Sequence, residues 1–147
     1  MSQSLHDLID AQNAKKFATD AGTAAHARMQ RIVIDGDVSR GDAETVARVR
    51  NRVDLMPFFG SHALTEVPVA GRIRGKFISR RIDRMVVNES DKTVLIMDYK
   101  TDVNPDNLRD AYYAQVREYI ELVRQIYPGY SVRGYILWLH NFVLENV

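Results

Sequence analysis

Apolar and polar positions divide the chain into two unlike halves. Up to about residue 60 the apolar positions recur at helical spacing. Ser4 to about Asp20 carries Leu5, Leu8, Ile9, Ala14 and Phe17, with Ser4 as a cap and Asp7 in the first turn. A second helix is expected from Gly22-Thr23 to about Ile34, with His26, Met29, Ile32 and Val33 facing inward and Asp35-Gly36-Asp37 breaking it. A third is expected over Asp42 to Leu55, on the spacing of Val46, Val49 and Val53. The two phenylalanines of Pro57-Phe58-Phe59-Gly60 are expected to plug the core.

From His62 the pattern turns to strands. His62 to Ala70 reads as one, and Pro68 pushes it towards a sheet edge or bulge. Gly75 to Thr101 reads as a hairpin about the polar turn Asn88-Glu89-Ser90-Asp91-Lys92. In its second arm Val94, Leu95, Ile96 and Met97 form a continuous apolar run, as in a strand buried on both faces. Asn104-Pro105-Asp106 is a helix start. The helix carries Leu108, Tyr112, Val116, Tyr119, Leu122, Val123 and Ile126 along one stripe and ends before Pro128-Gly129. Val132 to Leu139 is a last strand. The order predicts an α/β (α+β-like) domain spanning residues 1–147, helical over about 1–60 and sheet-based over about 61–147. Its centre would be a mixed β-sheet of about four strands with helices on both sides.

Composition narrows the chemistry. The chain has 147 residues, room for one domain with a core, and a net charge of +1, which points to neither nucleic acid nor membrane. It has no cysteine, which excludes disulfides, thiol catalysis and thiolate metal sites and fits a reducing, cytoplasmic setting. No apolar run approaches the ~20 residues of a membrane span, and the polar start does not read as a signal peptide.

The hairpin concentrates what chemistry there is. Asp98 and Lys100 point to one side of their strand, because strand side chains alternate faces. Folding the hairpin about its turn brings Asp83 opposite Asp98 or one step from it. Two carboxylates and an ammonium at the end of a buried strand cost free energy unless compensated. A divalent cation between the carboxylates would compensate them. A surface salt bridge between Asp98 and Lys100 is the plainer alternative.

Four segments in order resemble the PD-(D/E)XK nuclease superfamily, and within it the C-terminal nuclease module of AddA/RecB-type helicase–nucleases. They are Gly22-Thr23-Ala24-Ala25-His26 (a G-x-x-x-H helix), Gly75 to Asp83 (a strand ending in aspartate), Ile96 to Thr101 (the D-x-K strand) and Gln115 to Tyr119 (a Q-x-x-x-Y helix). Residues 126–138 resemble the segment that closes such modules. The resemblance implies a restriction-endonuclease-like fold and metal-assisted hydrolysis of DNA phosphodiesters, single-stranded DNA being the expected substrate. It implies that Asp83, Asp98, His26 and the Tyr99 carbonyl hold Mg²⁺ or Mn²⁺, that Lys100 serves the attacking water and scissile phosphate, and that Gln115 and Tyr119 brace the site. A helicase motor or partner subunit is the implied partner in recombination or double-strand-break repair. Alternatives are a degenerate module that only binds DNA or a partner, and a restriction-type endonuclease.

Outside the motifs, Arg72, Arg74, Lys76, Arg80, Arg81 and Arg84 stand against Asp83 alone. They read either as a solvated strand face or as a phosphate track. By alternation Arg80 and Arg84 would share one face, and Arg81 and Asp83 the other. No aromatic-interleaved base-reading surface is evident in this pattern, so it does not support sequence-specific recognition; Glu66 on the preceding strand reads either as a solvated edge charge or as the glutamate that related modules often have there.

Overall fold

The computed structural model describes residues 22–147. The expected helix over Ser4 to Asp20 lies outside them. Helix α1 occupies 22–30. A short hairpin follows, β1 (Val33–Asp35) and β2 (Val38–Arg40), turned at Gly36 with φ +57°. Helix α2 spans Ala43–Arg50 and is capped by Asp42, whose carboxylate accepts from the Thr45 N–H and hydroxyl. A 3₁₀ turn at Met56–Phe58 leads into the sheet.

Five strands form that sheet in sequence order: β3 (Leu64–Ile73), β4 (Lys76–Asn88), β5 (Thr93–Lys100), β6 (Ser131–Trp138) and β7 (Val143–Asn146). All neighbours are antiparallel except β5 and β6, which run parallel. Helix α3 (Arg109–Ile126) makes the crossover that a parallel pair requires. Among the described residues the fold is therefore mixed α/β, with a five-stranded mixed sheet flanked by three helices.

Two apolar layers sandwich the sheet. On one face Val116, Tyr119, Ile120, Leu122 and Val123 of α3 meet Ile82, Val94, Ile96 and Ile136. On the other, Met29, Val46, Val49, Leu55, Phe58 and Phe59 meet Met97, Tyr99 and Leu137. Strand β5 lies between both layers, which is why its apolar run is unbroken. Phe58 and Phe59 are buried plugs, as expected. α3 sits directly on β6 at Gly134, where an added Cβ would fall 2.5 Å from Val116 Cγ1.

Several boundaries depart from the sequence pattern. The second helix stops at residue 30, and Ile32 and Ile34 are buried from the small hairpin rather than from a helix. Gly41 closes on Ile32 at φ +107°, a turn that helical periodicity does not register. The third helix ends at Arg50, and Val53 is 89% exposed beyond it. Strand β7 was not anticipated; its four residues are too short for a periodic signal. Pro68 does lie on an edge strand, β3, as its missing donor requires.

Candidate active site

The β4–β5 ladder brings the expected residues together. Its register pairs Asn88 with Thr93 and runs to Arg84 with Met97. The next pair would be Asp83 with Asp98, and there the ladder stops. The Asp83 carboxylate replaces the missing backbone acceptor: its Oδ2 takes the Tyr99 N–H at 2.8 Å. Across β3, the residue facing this point is Glu66, with φ +53°. A non-glycine residue in that region costs ~1–2 kcal/mol, so the strand is locally strained beside the carboxylates.

That distortion also resets the side-chain alternation. Ile82 points into the α3 layer, whereas Arg84 points into the opposite one. Arg80 and Arg84 therefore do not share a face, and Arg84 is no part of a phosphate track. It is 1% exposed. Its guanidinium donates to the carbonyls of Met29 (2.8 Å) and Phe58 (3.0 Å) and to the Tyr99 hydroxyl (2.7 Å), and lies 4.3 Å from the Phe59 ring centre. Longer contacts reach Gln30 and Ile32 carbonyls. The cation thus gathers carbonyls at the C-terminal end of α1, where the helix dipole favours positive charge. Arg80 in turn pairs with Glu118 of α3 at 2.6 Å.

His26 is delivered by the helix that Arg84 anchors. Its Nδ1 lies 2.8 Å from the Gly22 carbonyl, an acceptor only, so Nδ1 carries a proton. Nε2 faces Asp83 Oδ2 at 3.3 Å. The hydrogen bond to Asp83 raises the imidazole to about 8, against the opposing pull of burial. Tyr99 packs edge-on to it at 5.4 Å. Burial also pushes the Tyr99 hydroxyl up to about 12, so it remains a neutral acceptor for Arg84.

On the other face, Asp98 and Lys100 share a side of β5 as alternation requires, with Lys100 Nζ 2.9 Å from Asp98 Oδ2. The contact is a charge pair off the line of a hydrogen bond. Among the described residues Asp98 Oδ2 is buried without a hydrogen-bond partner. Burial raises the Asp98 carboxyl to about 6, with Asp83 adding to the rise and Lys100 opposing it. Lys100 Nζ also donates to Gln115 Oε1 at 2.8 Å and lies 4.3 Å from the Tyr112 ring centre. Gln115 Nε2 donates to the Tyr119 hydroxyl at 2.8 Å, one helical turn on. An unbroken chain, Asp98–Lys100–Gln115–Tyr119, therefore links β5 to α3.

Of the sequence-predicted residues, His26, Asp83, Asp98, Lys100, Gln115 and Tyr119 thus join one network, and Tyr99 contributes its N–H and its ring. Among the described residues no three His, Asp or Glu side chains stand ready around a common ion position; the contacts are pairwise. The donor set nonetheless fits a hard cation. Two carboxylates adjoin, one of them buried, and an imidazole offers Nε2 while a carbonyl holds Nδ1–H. Two participants were missed. Tyr112 floors Lys100, and its place three residues before Gln115 on the helix was the available signal. Arg84 carried none, since alternation assigned it to the wrong face.

No protein-family model matches the chain, and no curated protein matches it at a significant level.

Proposed function

We propose that the chain is a metal-dependent deoxyribonuclease of the PD-(D/E)XK type, with a restriction-endonuclease-like core. The observation that carries this reading is the juxtaposition at Asp98: a buried carboxylate with Lys100 Nζ 2.9 Å from its Oδ2, beside a second carboxylate that an imidazole faces, at the end of a buried strand. Burying two neighbouring carboxylates costs desolvation free energy that a bound cation would offset, which supports the reading. Asp83, Asp98 and His26 would hold Mg²⁺ or Mn²⁺, with the Tyr99 carbonyl completing the set that the family resemblance implies. When bound, the ion supplies charge neutralisation at a phosphodiester and an activated water.

The chain's own residues do the remainder. Asp83 and Asp98 bring negative charge to one point. Lys100, held by Gln115 and floored by Tyr112, keeps its ammonium where charge builds on the phosphoryl oxygens. Gln115 and Tyr119 fix the Lys100 position by hydrogen bonds that cost no reorganisation during the reaction. A single-stranded DNA substrate and service beside a helicase motor in recombination or repair belong to the same proposal.

The test is cleavage of linear single- and double-stranded DNA in Mg²⁺, Mn²⁺ and EDTA, with Lys100→Ala as control. Metal-dependent cutting that the variant loses by about 10²-fold or more is the expected result. Cutting that persists in EDTA, or in Lys100→Ala at the wild-type rate, contradicts it.

A further inference from the structure

The β3–β4 hairpin extends past the rest of the sheet to a tight turn at Arg74 (φ +53°) and Gly75 (φ +76°), closed by the Ile73–Lys76 pair. Two consecutive positive φ values are the signature of the turn that matches strand twist. One face of this hairpin lies under α3: Arg80 pairs with Glu118, and Gln125 Nε2 donates to the Arg72 carbonyl at 2.8 Å. The other face is open. Its cross-strand pairs are Arg72 with Phe77, Ala70 with Ser79 and Pro68 with Arg81, all exposed. Phe77 is 63% exposed, directly opposite Arg72.

Charge and direction give this face a meaning. Between Val67 and Ile82 there are five basic residues and no acid. Arg80 is taken by Glu118; Arg72, Arg74, Lys76 and Arg81 remain on the hairpin, Arg72 donating to the Gly75 carbonyl at 3.3 Å and Arg81 with a 3.6 Å contact to Glu66. From Phe77 the open face leads along β4, past Ser79 and Arg81, to Asp83, a run of about 20 Å at the ordinary strand rise. An exposed aromatic ring backed by arginines suits the flat faces of unpaired bases and the phosphates between them. A closed duplex hides those base faces.

We infer that the open face of hairpin β3–β4 is a docking platform for single-stranded nucleic acid, with a base stacked on Phe77 and phosphates on Arg72 and Arg81, feeding the strand towards Asp83. The inference rests on the nuclease reading for its purpose, but the binding itself needs no metal and no cleavage.

The experiment is fluorescence anisotropy of a labelled oligothymidine with the full chain in EDTA. Wild type should bind, Phe77→Ala should weaken binding by about five-fold or more, and Phe77→Trp should restore it. Arg72→Gln and Arg81→Gln should each lower the salt dependence of log Kd by about 0.7. All three side chains are exposed, and circular dichroism verifies the fold of each variant. Equal binding by Phe77→Ala, no binding by wild type, or equal affinity for polyglutamate overturns the platform. Hydrolysis of bis(p-nitrophenyl) phosphate in Mn²⁺ separates the two readings. A Phe77-dependent binder that hydrolyses neither that ester nor DNA keeps the platform and sinks the nuclease. An enzyme that cuts oligothymidine equally well with and without Phe77 does the reverse.

Discussion

Asp98 is the residue on which the chemistry turns. Its carboxyl is raised to about 6 from an ordinary 3.8, and His26 is raised to about 8 from 6.5. Both groups bind protons more tightly in the folded than in the unfolded state. Their contributions to stability are therefore full at low pH and are lost as pH rises, across about 4 to 6 for Asp98 and about 6.5 to 8 for His26. In EDTA, thermal melts should show Tm falling through both windows, and His26→Gln should flatten the upper one alone; an unchanged upper slope in that variant contradicts the pairing with Asp83. A bound cation must displace these same protons. The rise in Tm on adding Mn²⁺ should accordingly be larger at pH 8 than at pH 6.

At the scale of elements, the site depends on two joints. Arg84 ties the end of α1 to the sheet, and His26 rides on α1 one turn earlier. Arg84→Met leaves several buried carbonyls and the Tyr99 hydroxyl without their donor. It should cost about 3 kcal/mol or more in urea unfolding, and the loosened helix should weaken Mn²⁺ binding in the fraction that folds. The second joint is α3 on β6 at Gly134. Gly134→Ala would drive a Cβ into Val116 and Ile120 and should cost about 1–3 kcal/mol, while Gly36→Ala, with open space around it, should show only the strain of its φ. The hairpin register and α3 were legible in the sequence because a polar turn and an unbroken apolar stripe specify them locally. The β1–β2 hairpin was not, since its strands are three residues each and its buried Ile32 and Ile34 fit a helix as well as a strand. Nor was the face of Arg84. The alternation of β4 shifts opposite Glu66, a residue at positive φ on the neighbouring strand, and no pattern within β4 reports what its partner strand does. Phe77 reads from sequence as one more apolar strand position; its exposure follows from the hairpin outrunning the layers that cover the rest of the sheet.

For the whole molecule, a sheet sandwiched between two layers gathers its functional groups from all three. His26 comes from one layer, Gln115 and Tyr119 from the other, and the carboxylates with Lys100 from the sheet between them. Such a site should be rigid in the apo protein, as the four-membered chain from Asp98 to Tyr119 is already assembled. The most direct test is Mn²⁺ titration calorimetry at pH 8 on the wild-type chain and on Asp98→Asn, a substitution that keeps the shape and removes the buried charge. Saturable binding by wild type, weakened at least about 10-fold in Asp98→Asn with the melting profile in EDTA preserved or raised, is the predicted result. No heat from wild type, or equal affinity in the two proteins, would contradict a cation site at Asp98 and with it the metal-dependent nuclease.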